Sequence, residues 1–313
     1  MALSLLDRSE FVKSKNVEQA ARLELALRHA FPALSKKTAR QALLGGQVRL
    51  NGRVVKILSR QVSKGDVLTF DEKNIILEKK PATLQVLFQD EDVIVINKPA
   101  HLLSERLASE NGPCVQDRLQ QLGFGDTKLC HRLDAGTSGA MILARTQMAA
   151  THLMEAFRCG RIGKSYLLLC VGNPTDGAYD EALGKDAFHP RRFAARKNGK
   201  EALTYFRTLN STPHYSLVSA RPKTGRTHQI RVHFSVNTHA LLGDGLYGGP
   251  TRLQLAQQTL FFERPLLHSY CVAFVHPRSQ KALHFVAPIA SDFIFAQKAL
   301  QLDWSFDAWN PLW

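Results

Sequence analysis

Apolar residues in RLELALRHAF recur at Leu23, Leu27, Ala30 and Phe31, the three-and-four spacing of one helix face. Ser35 then stands where a helix N-cap belongs, KKTARQALL follows as a second helix, and Gly45-Gly46 ends it. Next the period falls to two. VRLNGRVV reads as two short strands around Asn51-Gly52, a strong hairpin signal, and KGD at 64–66 turns the chain into the strand VLTF. Two helices and a small twisted sheet thus form one unit over residues 21–72, after a polar lead-in over 1–20. The charged stretch DEKNIILEKKPAT reads as a linker, placed at 73–84.

From residue 85 the texture changes to β runs: LQVLFQ, DVIVINKP, AMILART, SYLLLCVG, YSLVSA, HQIRVHF, CVAFVHP and LHFVAP. CVQDRLQQLG and QMAATHLMEAFRCG fall between them as helical stretches. The pattern predicts an α+β protein. Its large domain, over 85–290, has a central, mainly antiparallel mixed sheet flanked by helices and loops. A closing helix and tail over 291–313 hold all three tryptophans, Trp304, Trp309 and Trp313, read as packing residues.

Charge sharpens this picture. The 313 residues carry a formal net charge of +14, which favours a polyanionic partner, nucleic acid before an anionic membrane. Between Arg22 and Phe70 there are ten Lys/Arg against Glu24 and Asp66, a net +8. A merely soluble face mixes both signs. Lys36, Lys37 and Arg40 share one side of the second helix, away from Ala39, Ala42 and Leu43. Arg49 and Arg53 flank the hairpin turn. Further along, Arg191, Arg192, Arg196, Lys197 and Lys200 lie within ten residues without an acid, in a segment read as a flexible loop on RNA backbone.

Several function classes drop out. Five scattered cysteines without a CxxC pair read as reduced thiols of a cytosolic protein. MALSLLDRSEFVKSK lacks the pattern of a signal peptide, and no apolar run is long enough to span a bilayer. GRIGKS at 160–165 is not a P-loop, since Arg158 stands where the first glycine is needed. His228 and His233, five apart on an expected strand, point to opposite faces and make a poor metal pair. No metal and no cofactor are expected.

HRLDAGTSG, GKSYLLLCVG and TGRTHQIRVH remain. Taken singly, Asp134 is a turn residue, Tyr166 a strand aromatic and Arg231 an exposed strand cation. Together, and in this order, they resemble the RluA-type RNA pseudouridine synthases, whose signature is HRLDxxTSG. DEDVIVINKPAHLL, GKDAFHPRRFAARKNGKEALTYFRTL, LLGDGLYGG and LLHSYCVAFVHP extend the resemblance over about 85–290. RLELALRHAF through KGDVL likewise resembles an S4 RNA-binding domain, with SKKTARQALLGGQVRLNGR its most specific part.

The resemblance implies a catalytic role for Asp134, a charge partner in Arg231, and an active-site aromatic in Tyr166. It implies that Arg132 enters the base stack when the target uridine is extruded. The implied reaction conserves every atom, so one carboxylate and no cofactor suffices. Thr137, Ser138 and Gly139 are expected to hold the Asp loop through hydroxyl–backbone bonds. Ala135-Gly136 replaces a pair often basic and acidic in the family, and ERLASENGPCV departs from its usual sequence. The implied substrate is large-subunit ribosomal RNA, with tRNA second. An inactive RNA-binding assembly factor is the rival from another class, and a monomer in the cytoplasm is expected. A generic glycosidase would want a second carboxylate beside the first.

Overall fold

The computed structural model describes residues 12–32, 34–44, 46–71, 84–106, 113–255 and 259–304. The lead-in before residue 12, linker residues 73–83, Gly45, Trp309 and Trp313 lie outside the described residues, as does the side chain of Lys37. The chain forms two units, one of 1–80 with 252–261, the other of 81–251 with 262–313.

In the first unit the helices Leu23–Ala30 and Lys36–Leu44 bury Leu23, Leu27, Ala39, Ala42 and Leu43. Ser35 caps the second helix, its Oγ accepting the Thr38 amide at 3.1 Å. Asn51 and Gly52 both have positive φ (+50° and +81°), the conformation a two-residue turn needs if it is to match strand twist. One expectation fails here. The lead-in is not merely polar coil, because Val12–Asn16 is a strand paired antiparallel with Val67–Asp71. Lys13, Ser14, Lys15 and Asn16 are all exposed, so the strand is held through its backbone and leaves no trace in the apolar pattern.

The second unit is built on a ten-stranded sheet. Its order is Gly177–Tyr179, Thr204–Ser211, Tyr215–Pro222, Gly163–Val171, Leu267–Val275, Ser138–Ala144, Val93–Lys98 and Gln85–Gln89. Ala282–Val286 pairs with Leu267–Val275, and Lys128–Leu129 with Ser138–Ala144. All pairs are antiparallel except Ser138–Ala144 against Leu267–Val275. The α+β class is as expected. The helix Gln147–Arg158 packs Ala149, Ala150 and Leu153 into the same apolar cluster as Val95 and Ile142 of the sheet.

Gly139 sits at the parallel pairing of this sheet with φ +112°, and a Cβ on it would lie 2.1 Å from the Ser269 carbonyl oxygen. Only glycine permits this approach. Beside it Ser138 Oγ meets His268 Nδ1 at 2.9 Å, and His268 Nε2 faces the Ala287 carbonyl at 3.3 Å.

His268 is fully buried, and burial first, with the Arg264 charge adding, pulls its pKa down to about 4 against the Ala287 bond. The unfolded chain takes up this proton below about 6.5. Stability is therefore retained above that pH, falls between about 6.5 and 4, and falls no further from this source below it. One such group contributes at most roughly 3 kcal/mol. Urea midpoints across that interval should drop for the wild type and drop less for His268→Gln; identical profiles would assign the acid sensitivity to other groups.

Two further expectations are corrected. HQIRVHF is not a strand but lies at and within the helix Gln229–Val236. Its alternation misleads because the helix is buried on every side over residues 229–234, with Gln229, Arg231 and His233 inside beside Ile230, Val232 and Phe234. Each polar side chain is satisfied internally: Gln229 by Leu203 and Thr204, His233 by Thr204 and Glu181, Arg231 by two carboxylates. The basic segment keeps its five cations outside strands, but it is built on a hairpin rather than being a flexible loop: Leu183–Lys185 pairs with Phe193–Ala195, three-residue strands too short to show a period.

Candidate active site

Asp134 stands on the connection between two sheet strands, and its backbone is braced from several sides. The Thr137 amide donates to the Asp134 carbonyl at 3.0 Å. The Leu133 amide donates to Ser104 Oγ at 3.0 Å, and that hydroxyl donates to the Leu133 carbonyl at 2.6 Å. The His101 amide reaches the Ala135 carbonyl at 2.8 Å. Thr137, Ser138 and Gly139 do steady the loop, but by an amide, a histidine contact and a close backbone approach rather than by hydroxyl–backbone bonds.

Two buried cations complete the brace. Lys98, wholly buried, donates Nζ to the carbonyls of Pro99, Leu102 and Ala135 at 3.0, 2.8 and 3.3 Å. Burial and the Arg264 charge lower its pKa to about 7, with the Asp134 charge pulling the other way. Arg264 donates Nη1 to the Gly136 carbonyl at 3.0 Å, while its Nε and Nη2 grip Asp292 at 2.6 and 2.8 Å. Asp292 lies in the first turn of the helix Ser291–Ala299, so this helix is tied to the Asp134 loop.

The Asp134 carboxylate meets Arg231. Arg231 Nη1 donates to Asp134 Oδ2 at 3.0 Å, and Nε and Nη2 donate to Asp244 Oδ2 and Oδ1 at 2.6 and 2.9 Å. Burial alone would weaken the Arg231 charge, but the two-pronged bond to Asp244, with Asp134 added, raises its pKa above the ordinary arginine value. Asp244 is buried, whereas the Asp134 side chain is 26% exposed. The guanidinium is thus fixed by the hidden acid and presents its remaining edge to the accessible one.

His228 begins the Arg231 helix in a left-handed conformation (φ +57°) and brings Nε2 to 3.8 Å from Asp134 Oδ2. Burial lowers its pKa, outweighing the nearby Asp134 carboxylate. Its Nδ1 lies 2.7 Å from Tyr247 Oη, and the Tyr247 ring lies under Arg231 at 5.0 Å.

Tyr166 enters from the strand Gly163–Val171. A register irregularity between Ser165 and Tyr166 re-aims the side chain. Burial and the Asp134 charge push its pKa up to about 12, against a bond to Ser269. A phenol close enough to feel Asp134 and held neutral offers the site an aromatic face and a donor. Tyr166, Asp134 and Arg231 are therefore brought together from three separate stretches spanning nearly a hundred residues.

Arg132 is exposed, with a loose contact to exposed Glu105 at 3.5 Å. Of the other predicted cations, Lys36, Arg49 and Arg53 are exposed on the first unit, and Arg40 is engaged by Glu24 at 3.2 Å. Arg191 is exposed at the hairpin turn, Arg192 pairs with Asp186 at 3.5 Å, and Arg196 donates to the Lys185 carbonyl at 3.0 Å.

His131, first residue of the HRLD stretch, contributes structure. Its Nε2 accepts the Ile142 amide at 3.0 Å, its ring stacks on Phe157, and burial, with Lys164 nearby, takes its pKa to about 3. Sequence reasoning does not single out Asp244, Tyr247, His228, Lys98 or Arg264 for the site. Asp244 and Tyr247 lie in LLGDGLYGG, a stretch recognised without its residues being assigned; an acid between glycines signals a turn as readily as a buried partner.

Residues 92–236 match the RNA pseudouridylate synthase family model, and residues 21–68 match that of the S4 domain. The chain is 31% identical over 305 residues to ribosomal large subunit pseudouridine synthase D of Vibrio parahaemolyticus, spanning 92% of this chain and 94% of that protein. It is 33% identical over 288 residues to an uncharacterized RNA pseudouridine synthase of Mycobacterium bovis, spanning 86% and 91%. Among solved structures, human RNA Pseudouridylate Synthase Domain Containing 4 is similar at a TM-score of 0.56 and 26% identity, over 69% of this chain and 93% of that one. With this agreement along nearly its whole length, the chain belongs to the RNA pseudouridine synthases, isomerases acting on RNA, and carries an S4 domain at its N-terminal side.

Proposed function

We propose that this chain isomerises specific uridines of large-subunit ribosomal RNA to pseudouridine, with Asp134 as the catalytic group. One observation carries the assignment: Asp134 Oδ2 lies 3.0 Å from a guanidinium fixed by a second, hidden carboxylate, yet the Asp134 side chain stays 26% exposed. The acid has a fixed cation beside it and remains reachable. The ribosomal target follows the name of the Vibrio relative.

The reaction breaks the bond between uracil N1 and ribose C1′, turns the base, and joins C5 to C1′; C5 loses a proton and N1 gains one. An ionised carboxylate serves at the sugar, either by attack on C1′ or by taking a proton from C2′. Tyr166 stacks on the uracil and assists the proton transfer at C5. Arg132, held by one exposed contact, is free to swing into the base stack and offset part of the cost of extruding the nucleotide. The protein is read as a monomer that acts on its RNA in the cytoplasm.

The segment 21–72 is read as the RNA anchor of the domain at 85–290. Replacing Lys36, Arg49 and Arg53 together by glutamine should lower the slope of log affinity against log salt by about 2 to 3. Filter binding over a salt series measures this, and an unchanged slope would remove these residues from the interface. The function itself is tested by mapping pseudouridines in RNA from cells with and without the gene, then restoring lost positions on a transcript with purified protein. Positions lost from transfer RNA alone would move the substrate; none lost anywhere would favour an RNA-binding assembly factor.

A further inference from the structure

At the turn of the hairpin formed by Leu183–Lys185 and Phe193–Ala195, the Phe188 side chain is 97% exposed. Among the described large hydrophobics the next most exposed, Ile57, is at 60%. Scattered surface apolar residues are ordinary; a phenyl ring almost wholly in water is not.

The turn that presents it is built. The Asp186 carboxylate accepts the amides of Phe188 and His189 at 2.8 and 3.2 Å and pairs with Arg192 at 3.5 Å. The Asp186 amide donates to the Arg192 carbonyl at 3.0 Å, and the Arg192 amide donates to the His189 carbonyl at 3.0 Å. Farther down, the Phe193 amide donates to Tyr247 Oη at 2.9 Å. The Tyr247 ring carries Arg192 on it at 5.5 Å and Arg231 at 5.0 Å. The exposed ring is thus coupled through a short chain of fixed contacts to the guanidinium that holds Asp134.

The surroundings indicate what covers it. The same hairpin region carries an open concavity of about 470 Å³ lined by Gly184, Lys185, Arg196, Lys197 and Asn198, three of them cations. An apolar partner protein would find this charged setting unfavourable. A single-stranded nucleic acid offers both halves of the match: anionic phosphates for the concavity and an unpaired base for the ring.

We propose that Phe188 is a stacking platform for an unpaired base of the substrate RNA, set on a preformed hairpin whose basic concavity takes the neighbouring phosphate. The inference rests on the RNA-modifying function proposed for this chain and extends it to a nucleotide outside the target uridine. Stacking is insensitive to salt, whereas phosphate contacts are not, so the two halves separate experimentally.

The test uses the full-length protein and an in vitro transcript of large-subunit ribosomal RNA, with filter binding between about 50 and 200 mM salt. Phe188→Ala should weaken binding roughly tenfold, the effect of losing one stacked base, with an unchanged salt slope and thermal midpoint. Phe188→Leu should behave like the alanine variant, and Phe188→Trp should bind at least as tightly as the wild type. Arg196→Gln with Lys197→Gln should lower the salt slope. Alanine binding within twofold of the wild type, or leucine restoring it, would overturn the proposal. A wild type that fails to bind the transcript would instead bring down the RNA reading beneath it.

Discussion

Asp134→Asn is expected to abolish pseudouridine formation, by at least about a thousandfold in kcat, while RNA affinity stays within a few-fold of the wild type. The change is nearly isosteric, and the loop has its own supports in Ser104, Lys98 and Arg264, which hold it by backbone groups. The Arg231 guanidinium also keeps its two bonds to Asp244. What disappears is one carboxylate from a chain of formal net charge +14. Removing an acid from so basic a protein does not weaken electrostatic attraction to RNA. Single-turnover assays with saturating enzyme, paired with filter binding, measure both halves. Activity within tenfold of the wild type would remove Asp134 from the chemistry, and a parallel loss of affinity would make it a binding residue instead.

Arg231→Met should damage both activity and stability. Asp244 is 1% exposed and would keep a buried carboxylate with its guanidinium removed. Breaking a buried pair from one side costs about 3–5 kcal/mol, so the melting temperature should fall by roughly 6–15 °C for a domain of this size. Activity should fall further than folding explains, since Asp134 loses the guanidinium that fixes its carboxylate. The double variant Arg231→Met/Asp244→Asn separates the effects. It removes the stranded charge and should recover much of the melting temperature without recovering kcat. Recovery of both together would show that Arg231 acts only through folding. Arg231→Lys should rank between them, because one ammonium cannot hold both oxygens of Asp244 and still reach Asp134.

Several elements are legible in the chain because their cause is local. The helices around Leu23–Leu27 and Ala39–Leu43 announce themselves by spacing, and Ser35 and Asn51-Gly52 mark boundaries through their own hydrogen bonds and dihedral preferences. The HRLDAGTSG stretch stands out as a motif, and Gly139 shows why glycine occurs there: the Ser269 backbone occupies the space a Cβ would need. The helix carrying Arg231 reads wrongly as a strand because apolar alternation implies a wet face, and residues 229–234 of this helix have none. The strand Val12–Asn16 escapes notice for the opposite reason, having no buried side chain between Lys13 and Asn16.

The amino-acid order alone determined the two-part organisation, the α+β class and most of the sheet strands, each through spacing or turn chemistry. It singled out Asp134, Tyr166 and Arg231 only through a family resemblance carried by three separated motifs. Tertiary structure alone decided that Arg231 is oriented by Asp244, that Lys98 and Arg264 hold the Asp134 loop by its carbonyls, and that Phe188 is left in water on a fixed turn. The physical reason is common to all three. A buried charge is tolerated only when distant parts of the chain supply its partners, and such pairing, like exposure, is a property of assembled surfaces with no periodic trace along the sequence.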